Sequence, residues 1–256
     1  MNYKEYLDIA KTAAKKAGDF LRERDRISVD SSEGRDIKLS SDILSESIIV
    51  ETLSPTGLPV LSEESHLTGD FSDLFWIVDP LDGTMNYYKG MDDLACVSIA
   101  LWRGDSPVLG VINRFARDEV FAGIVGGSAE LNGMAICPSD VGKTEQAVIA
   151  AGFPVKRDYS EESLMRFLRL IGRFKKVRML GSAALMAVFA ACGRVDAYFE
   201  EGIMLWDIAA AAAIAEAAGC ATFCDKLEGY SRVYRCFANN RLMEDFNVAI
   251  AAPAVL

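Results

Sequence analysis

Histidine is nearly absent from this sequence, because His66 is the only one among 256 residues. A metal site made of several imidazoles is therefore excluded. His66 is also the only candidate base for a Ser-His-Asp or Cys-His arrangement. A lone histidine beside Glu63 and Glu64 is more often a surface residue or a neighbour of a metal ligand. We therefore expect the chemistry of this chain to depend on carboxylates and metal ions.

Basic residues and long apolar runs are also scarce. Lys and Arg number 27 against 37 Asp and Glu, and the net charge of −10 argues against nucleic acid as a partner. The longest apolar stretch, residues 203–218, is interrupted by Asp207 and Glu216 and is too short to cross a bilayer. Residues 1–26 mix charged and apolar side chains, unlike a signal peptide. We expect a cytoplasmic protein with no membrane partner.

Closely paired cysteines are missing, because none of the six forms a C-x-x-C motif. Most of them lie in apolar segments, which is typical of small buried side chains in a reducing compartment. Cys220, Cys224 and Cys236 leave a metal site open as an alternative, but their loose spacing favours simple packing.

Apolar residues recur with two periods along the chain, and 51% of the residues are hydrophobic, which is enough for a large core. Helical spacing predicts helices over 3–24, 40–53, 161–174, 183–191 and 206–218. Apolar β-rich runs predict strands over 60–61, 74–78, 95–102, 108–115, 119–125, 147–151, 177–180 and 195–199. The first half has the spacing of an antiparallel meander, whereas helices and strands alternate in the second. The pattern predicts an α+β lobe over residues 1–140 and an α/β lobe over 141–256, packed as one compact unit.

The strongest local signal is the string Trp76-Ile-Val-Asp-Pro-Leu-Asp-Gly-Thr84. An apolar strand ends there, and Asp79 and Asp82 follow at the kind of strand end where α/β folds expose reactive groups. Asp-Pro or Asp-Gly alone is commonly a turn. Two carboxylates this close repel each other unless cations lie between them, and hard oxygen ligands suit Mg²⁺. The whole string therefore predicts a magnesium site, followed after Gly83-Thr84 by a helix whose free N–H groups face an anion.

Two further acidic elements have ordinary explanations when each is taken alone. Glu63 and Glu64 close the preceding short strand, where an acidic pair is commonly a solvated loop. Asp207 precedes an alanine-rich helix, where an aspartate commonly serves as the helix cap. Neither element predicts a metal site without the other motifs.

Together, these elements resemble the three signatures of the inositol monophosphatase family, within the lithium-sensitive, metal-dependent phosphatases that include fructose-1,6-bisphosphatase. The resemblance is carried by Ser62-Glu-Glu-Ser65, Trp76-Ile-Val-Asp-Pro-Leu-Asp-Gly-Thr-Met-Asn-Tyr87 and Leu205-Trp-Asp-Ile-Ala-Ala210. It extends from the region of Asp42 through Gly181-Ser-Ala-Ala184 to the last helix. It implies a mixed α+β and α/β fold, layered as an αβαβα sandwich, and a homodimer.

The resemblance also implies a cofactor, two or three Mg²⁺ ions per site. Glu63, Asp79 and the backbone carbonyl of Leu81 would hold one ion. Asp79, Asp82 and Asp207 would hold a second. The ligand set is therefore expected to come from both halves of the chain.

The same resemblance assigns residues to the phosphate and to the attacking water. Backbone N–H groups of Gly83 and Thr84 would bind the phosphate. Asp42 and Thr84 would orient the water. Glu64 is expected beside the metals as a further catalytic residue.

The alcohol side of the substrate is less well defined by the motifs. The resemblance implies that Ala183 and Glu201 face inositol hydroxyls. Lys38-Leu39 stand where the family often has Val-Thr, which makes Lys38 either a phosphate contact or a plain surface lysine. The segment 151–154, with Lys156-Arg157 behind it, would either bind an anionic substrate or form a polar loop.

The implied activity is Mg²⁺-dependent hydrolysis of a small phosphate monoester, most simply inositol monophosphate, by in-line attack of a metal-activated water. Fructose 1,6-bisphosphate, histidinol phosphate and 3′-phosphoadenosine 5′-phosphate, which relatives hydrolyse, stay open as alternatives. A haloacid-dehalogenase-type site requires one residue fewer between Asp79 and Asp82. A metal-binding regulatory scaffold is the alternative without catalysis, and it predicts the loss of a ligand that this sequence retains.

Overall fold

A computed structural model of the chain describes residues 2–23, 29–33, 36–65, 70–155 and 157–251, without the side chains of 29–33, 36–38 and 249–251. His66, Lys156 and the side chain of Lys38 therefore lie outside the described residues. The described helices are α1 (Tyr3–Arg22), α2 (Ser40–Leu53), α3 (Thr84–Tyr88), α4 (Glu161–Ile171), α5 (Ala183–Ala191), α6 (Leu205–Ala218) and α7 (Asn240–Ala251).

The first half of the chain forms a hairpin and the larger of two further sheets. The hairpin consists of β1 (Val29–Glu33) and β2 (Asp36–Leu39). The larger sheet contains β3 (Val60–Ser62), β4 (Leu74–Asp82), β5 (Cys96–Arg103), β6 (Ser106–Arg114), β7 (Glu119–Ile124), β8 (Ala129–Leu131) and β9 (Met134–Ala135), in that order. β3 and β4 are parallel, and every later neighbour is antiparallel, which confirms the predicted meander.

The smaller sheet belongs to the second half and mixes strand directions. It contains β10 (Val148–Ala151), β11 (Lys176–Arg178), β12 (Ala197–Met204), β13 (Ala221–Lys226) and β14 (Ser231–Phe237), in the order β11-β10-β12-β14-β13. β10 is parallel to β11 and β12, because helices connect these strands. β14 is antiparallel to both β12 and β13. The predicted α/β alternation therefore covers only part of this sheet.

Three hydrophobic layers hold the helices and sheets together. α1 and α2 cover one face of the larger sheet, where Leu21 and Ile49 pack with Trp76. α5 and α6 lie between the two sheets, and α4 and α7 cover the outer face of the smaller sheet. This order of layers confirms the predicted αβαβα sandwich.

The composition of each helix follows from its layer. α1 is amphipathic because one side of it faces water, and its apolar residues recur at helical spacing. α5 and α6 are buried nearly all round and consist largely of alanine, which allows the two sheets to approach a helix closely from both sides. Gly110 in β6 allows the same close approach from the side of the larger sheet, because an added Cβ would lie 2.2 Å from the carbonyl oxygen of Ala210 in α6.

The predicted helices agree closely with the structure, and α5 has the predicted bounds. Strands β4 and β12 continue beyond their predicted ends, to Asp82 and Met204. None of the described helices has the length and apolar character needed to cross a membrane. The larger sheet ends at Ala135 and the smaller begins at Val148, while the division into lobes near residue 140 stays a prediction.

Candidate active site

The end of β4 is the turn that positions Asp79 and Asp82. The pairing of β4 with β5 shifts in register between these two residues, and the Leu81 N–H donates to Asp79 Oδ1 at 3.0 Å. Gly83 then adopts a φ of 85° and α3 begins at the next residue. A Cβ at this position would lie 2.6 Å from the carbonyl oxygen of Leu94, so only glycine fits both the conformation and the space.

Three carboxylates from separate elements converge beside this turn. The backbone N–H of Glu63 donates to the Val78 carbonyl at 3.2 Å, which continues the parallel pairing of β3 with β4 and brings Glu63 beside Asp79. Asp207 lies in the first turn of α6, where its Oδ2 accepts from the Met204 N–H at 3.2 Å. Oxygens of Glu63, Asp79 and Asp207 lie within 4.8 Å of one another.

The electrostatics of this cluster suit a bound cation. Burial, reinforced by Asp207 and Glu64, raises the pKa of Glu63 well above its usual range. Burial, reinforced by Glu63 and Asp82, does the same to the pKa of Asp79. A divalent cation would relieve this repulsion, and three carboxylate donors fit the hard ion Mg²⁺ that the sequence predicts. The identity and the number of ions stay predictions.

Asp82 lies at the start of α5 rather than within that group of three. Its carboxylate accepts a short hydrogen bond from the Ser182 hydroxyl and bonds from the N–H groups of Ala183 and Ala184 at 3.2 and 2.9 Å. The thiol of Cys96 lies 3.6 Å away. Burial raises the pKa of Asp82, and these donors oppose the rise. Ser182 was not among the predicted site residues, although its place as N-cap of α5 was open to inference from the sequence.

Asp42 and Thr84 are neighbours, as the predicted water-orienting pair requires. The Thr84 hydroxyl donates to the Leu81 carbonyl at 2.9 Å and lies 3.5 Å from Asp42 Oδ1. Asp42 Oδ2 accepts from the Leu39 N–H at 2.6 Å, which fixes the buried carboxylate at the start of α2. The roles of these residues stay predictions.

Glu46 is a site-supporting residue that the sequence did not reveal. Its Oε1 accepts from the N–H and the hydroxyl of Ser65 at 3.2 and 2.9 Å, which ties the segment after Glu63-Glu64 to α2. Its helical spacing from Asp42 and Ile49 was the sequence feature that could have identified it, because all three lie on the buried side of α2.

A cavity of about 480 Å³ joins these groups. Its lining includes the carboxylates of Glu63, Glu64, Asp79, Asp82 and Asp207, together with Gly83, Thr84 and Ala183. It also includes apolar residues, namely residues 152–155, Ile203 and Met204. Within the described part of the chain, no lysine or arginine lines the cavity.

The structure does not bring Glu201 to the cavity, and Glu200 lines it instead. Side chains alternate across a strand, so the two neighbours on β12 face opposite ways. Glu201 is partly exposed and lies 3.3 Å from Arg166, whereas Glu200 is buried. Burial and the charge of Asp82 raise the pKa of Glu200 to about 8. The alternation with Tyr198 on the core side was the signal that would have distinguished the two glutamates.

Known proteins resemble this chain over nearly its whole length. The model of the Inositol monophosphatase family matches residues 2–253. The Nus factor SuhB of Pasteurella multocida is 34% identical over 233 residues, which cover 88% of this chain and 86% of the relative. The Nus factor SuhB of Vibrio cholerae is 36% identical over 222 residues, which cover 83% and 82%. A solved structure of inositol monophosphatase from Anabaena (Nostoc) has a TM-score of 0.85 and 29% identity, covering 99% of this chain and 98% of that one.

Proposed function

Because this chain belongs to the inositol monophosphatase family, we propose that its cavity hydrolyses a small phosphate monoester with Mg²⁺, inositol monophosphate being the first candidate. The observation that carries the proposal is the convergence of Glu63, Asp79 and Asp207 in the lining of the cavity. Carboxylates that are crowded together in this way are stable when a cation neutralises them. They would otherwise weaken the fold, so their arrangement has a functional explanation.

The metal end is assigned to carboxylates from both halves of the chain. Glu63, Asp79 and the Leu81 carbonyl would hold one ion, and Asp79, Asp82 and Asp207 would hold the second. The chemistry that Mg²⁺ supplies when bound is activation of water and neutralisation of phosphate charge. Glu64 also lines the cavity and adds negative charge to it.

Thr84 and Asp42 are proposed to place the attacking water. The Thr84 hydroxyl donates to the Leu81 carbonyl and is close enough to Asp42 to donate to that carboxylate instead. Its oxygen then has lone pairs free to accept a hydrogen bond from a water in the cavity. The N–H groups of Gly83 and Thr84, at the start of α3, are proposed to hold the phosphate.

The alcohol end is proposed to bind hydroxyl groups through Glu200, with Ala183 beside them. A carboxylate accepts hydrogen bonds from hydroxyls, and the apolar wall at 152–155 would contact the carbon ring. The described lining includes no basic residue that would pair with a second phosphate. Family resemblance further supports a homodimer and sensitivity to Li⁺.

Phosphate release from inositol 1-phosphate and from the three alternative substrates tests the proposal. Release should require Mg²⁺, stop with a chelator and be fastest with inositol 1-phosphate. Asp79→Asn should abolish release while circular dichroism shows an intact fold, because the variant keeps the side-chain shape and removes one ligand charge. Metal-independent release, or an active Asp79→Asn variant, would refute the mechanism. A folded protein that binds Mg²⁺ but hydrolyses none of the four esters would instead support the regulatory scaffold.

A further inference from the structure

Residues 152–155, the wall segment, line the cavity and follow directly after β10. The pairing of β10 with β12 ends where Ala151 faces Phe199, so the sheet does not hold the wall segment. Backbone carbonyls outside strands and helices need partners from side chains, turns or water. The contacts that hold the wall segment therefore decide the shape of the cavity beside it.

The Tyr159 hydroxyl contacts two carbonyl groups of the wall segment. It donates to the Phe153 carbonyl at 2.9 Å and to the Pro154 carbonyl at 3.0 Å. A phenol has one proton, so the two carbonyls share it in a three-centre hydrogen bond. The Arg157 N–H donates to the same Pro154 carbonyl at 3.1 Å and closes a tight turn. One oxygen atom of Tyr159 thus holds two consecutive peptide groups of the wall segment.

The ring of Phe153 fastens the same segment to α4. Its centroid lies 4.9 Å from the ring of Phe167 in an edge arrangement and 6.3 Å from the ring of Tyr159 in a stacked one. Phe167 is buried in the hydrophobic layer on the outer face of the smaller sheet. Aromatic pairs at these separations add to the stability that burial provides. The ring and the hydroxyl of Tyr159 therefore both act on Phe153.

Gly152 connects this anchor to the polar part of the cavity. A Cβ at Gly152 would lie 2.1 Å from Glu200 Oε1, so the Glu200 carboxylate rests against the backbone of the wall segment. Glu200 is the residue proposed above to accept hydrogen bonds from substrate hydroxyls. A displaced wall segment would change both the apolar contact with the alcohol and the space beside Glu200.

We propose that Tyr159 is a positioning residue that holds the wall segment where the alcohol part of the substrate binds. The inference rests on the proposed function, since it requires an alcohol in the cavity. Tyr159 is not among the described residues that line the cavity, so it acts on the alcohol through Phe153 and Pro154. Phosphate alone would not depend on Tyr159, because its proposed contacts are the metal ions and the N–H groups of Gly83 and Thr84.

Steady-state kinetics of Tyr159→Phe test this role, because the variant removes the hydroxyl and keeps the ring beside Phe153. KM should rise about fivefold for the ester hydrolysed fastest, expected to be inositol 1-phosphate, since one hydrogen bond of ordinary strength represents a factor of this size. kcat should stay within about twofold, as for a lost contact that binds ground state and transition state equally. The inhibition constant of inorganic phosphate should also stay within about twofold.

Hydrogen exchange measured by mass spectrometry provides a readout that does not depend on activity. Amide hydrogens of residues 152–157 should exchange faster in Tyr159→Phe than in the wild-type protein, because the wall segment opens more easily without the hydroxyl. Exchange in α1 should be unchanged. Circular dichroism should show the same fold for both proteins.

Two further variants separate positioning from a general loss of structure. Tyr3→Phe removes the hydroxyl of an exposed tyrosine on α1, in another layer of the fold, and should change neither KM nor the exchange of residues 152–157. Phe153→Ala removes the ring that anchors the wall segment and should raise the same KM. Adding Tyr159→Phe to Phe153→Ala should raise KM by a smaller factor than in the wild-type protein, because both changes act on one segment.

The outcomes distinguish this inference from the proposed function. An unchanged KM in Tyr159→Phe, an equal rise in the inhibition constant of phosphate, a KM rise without faster exchange, or full additivity with Phe153→Ala would overturn the role of Tyr159 alone. If the wild-type protein with Mg²⁺ releases phosphate from none of the four esters, the proposed function and the inference fall together. A selective rise in KM together with faster exchange of the wall segment would establish the inference.

Discussion

The contact between Gly110 and α6 provides a quantitative test of the fold. Gly110 lies in the middle of β6, and a Cβ there would be 2.2 Å from the Ala210 carbonyl oxygen and 2.8 Å from two other backbone atoms of Ala210. Non-bonded carbon contacts are normally about 3.5 Å or longer. Gly110→Ala therefore requires α6 to move away from the larger sheet by roughly 1 Å, because the obstructing atoms are backbone.

The cost of that displacement should be large for a single methyl group. Overpacking a core costs about 1–3 kcal/mol and occasionally more. The upper end applies here, because α6 is buried between two sheets and has no free side toward which it can relax. We expect a loss of about 3 kcal/mol in the free energy of unfolding, or about 6–12 °C in Tm.

Two other glycines give a graded comparison within the same protein. A Cβ at Gly123 would lie 3.0 Å from the Cβ of Ala217 and 3.2 Å from the Cα of Ile214, so Gly123→Ala should cost less than Gly110→Ala. A Cβ at Gly142 would meet its first neighbour, the Cβ of Arg241, at 3.4 Å. Gly142→Ala should therefore be nearly neutral or slightly stabilising.

Urea unfolding followed by circular dichroism measures all three variants. The expected order of destabilisation is Gly110→Ala, then Gly123→Ala, then Gly142→Ala. Since α6 begins beside Asp207, Gly110→Ala should also weaken Mg²⁺ binding, whereas Gly142→Ala should not. If Gly110→Ala is no less stable than Gly142→Ala, the close approach of α6 to β6 is wrong.

Three further predictions concern the site. Burial raises the pKa of Glu63 and Asp79 above their values in the unfolded chain. Their protonated forms therefore contribute to the stability of the fold at any pH below the unfolded pKa. That contribution is lost as the pH rises through the folded pKa. Mg²⁺ should therefore raise Tm more at pH 8 than at pH 5.5 in differential scanning fluorimetry, and a rise independent of pH would contradict this assignment. Ser182→Ala removes both the N-cap of α5 and the hydroxyl donor to Asp82. The variant should lose about 1 kcal/mol or more of unfolding free energy in urea, and it should bind Mg²⁺ more weakly in calorimetry. A variant with unchanged stability would count against the cap. Glu201→Gln should leave the KM for inositol 1-phosphate within about twofold, because solvent screens its pair with Arg166; a tenfold rise would return Glu201 to the substrate site.

Much of the fold was predictable because its signals are local. The helices were visible from apolar spacing, and the turn after Asp79 from a proline and a glycine inside one short string. α5 and α6 stood out because helices buried on all sides are apolar throughout. The confirmed layer order, by contrast, came from family resemblance, since the contacts that stack two sheets join residues far apart in the chain.

The differences between the predicted and the observed positions at the site have another physical origin. Assigning Glu201 to the substrate depended on the side of a strand to which each residue points, and the predicted strand ended at Phe199, before either glutamate. Glu46 was missed because a buried acid on a helix resembles a surface residue until its partner, Ser65, is known. Strand β13 carries exposed and charged residues and β14 contains two arginines, so neither sequence has the continuous apolar run of a central strand.

The position of Asp207 on the central helix has a consequence for the order of events during folding. Glu63 and Asp79 meet when neighbouring strands of the larger sheet pair, but Asp207 joins them only after α6 has been enclosed by strands from the second half of the chain. A fragment that ends before α6 would contain a crowded acidic pair without its third member. On the proposed function, an ion held by all three carboxylates would bind only to the completed tertiary structure, and by mass action it would stabilise the folded state in which α6 lies between the sheets.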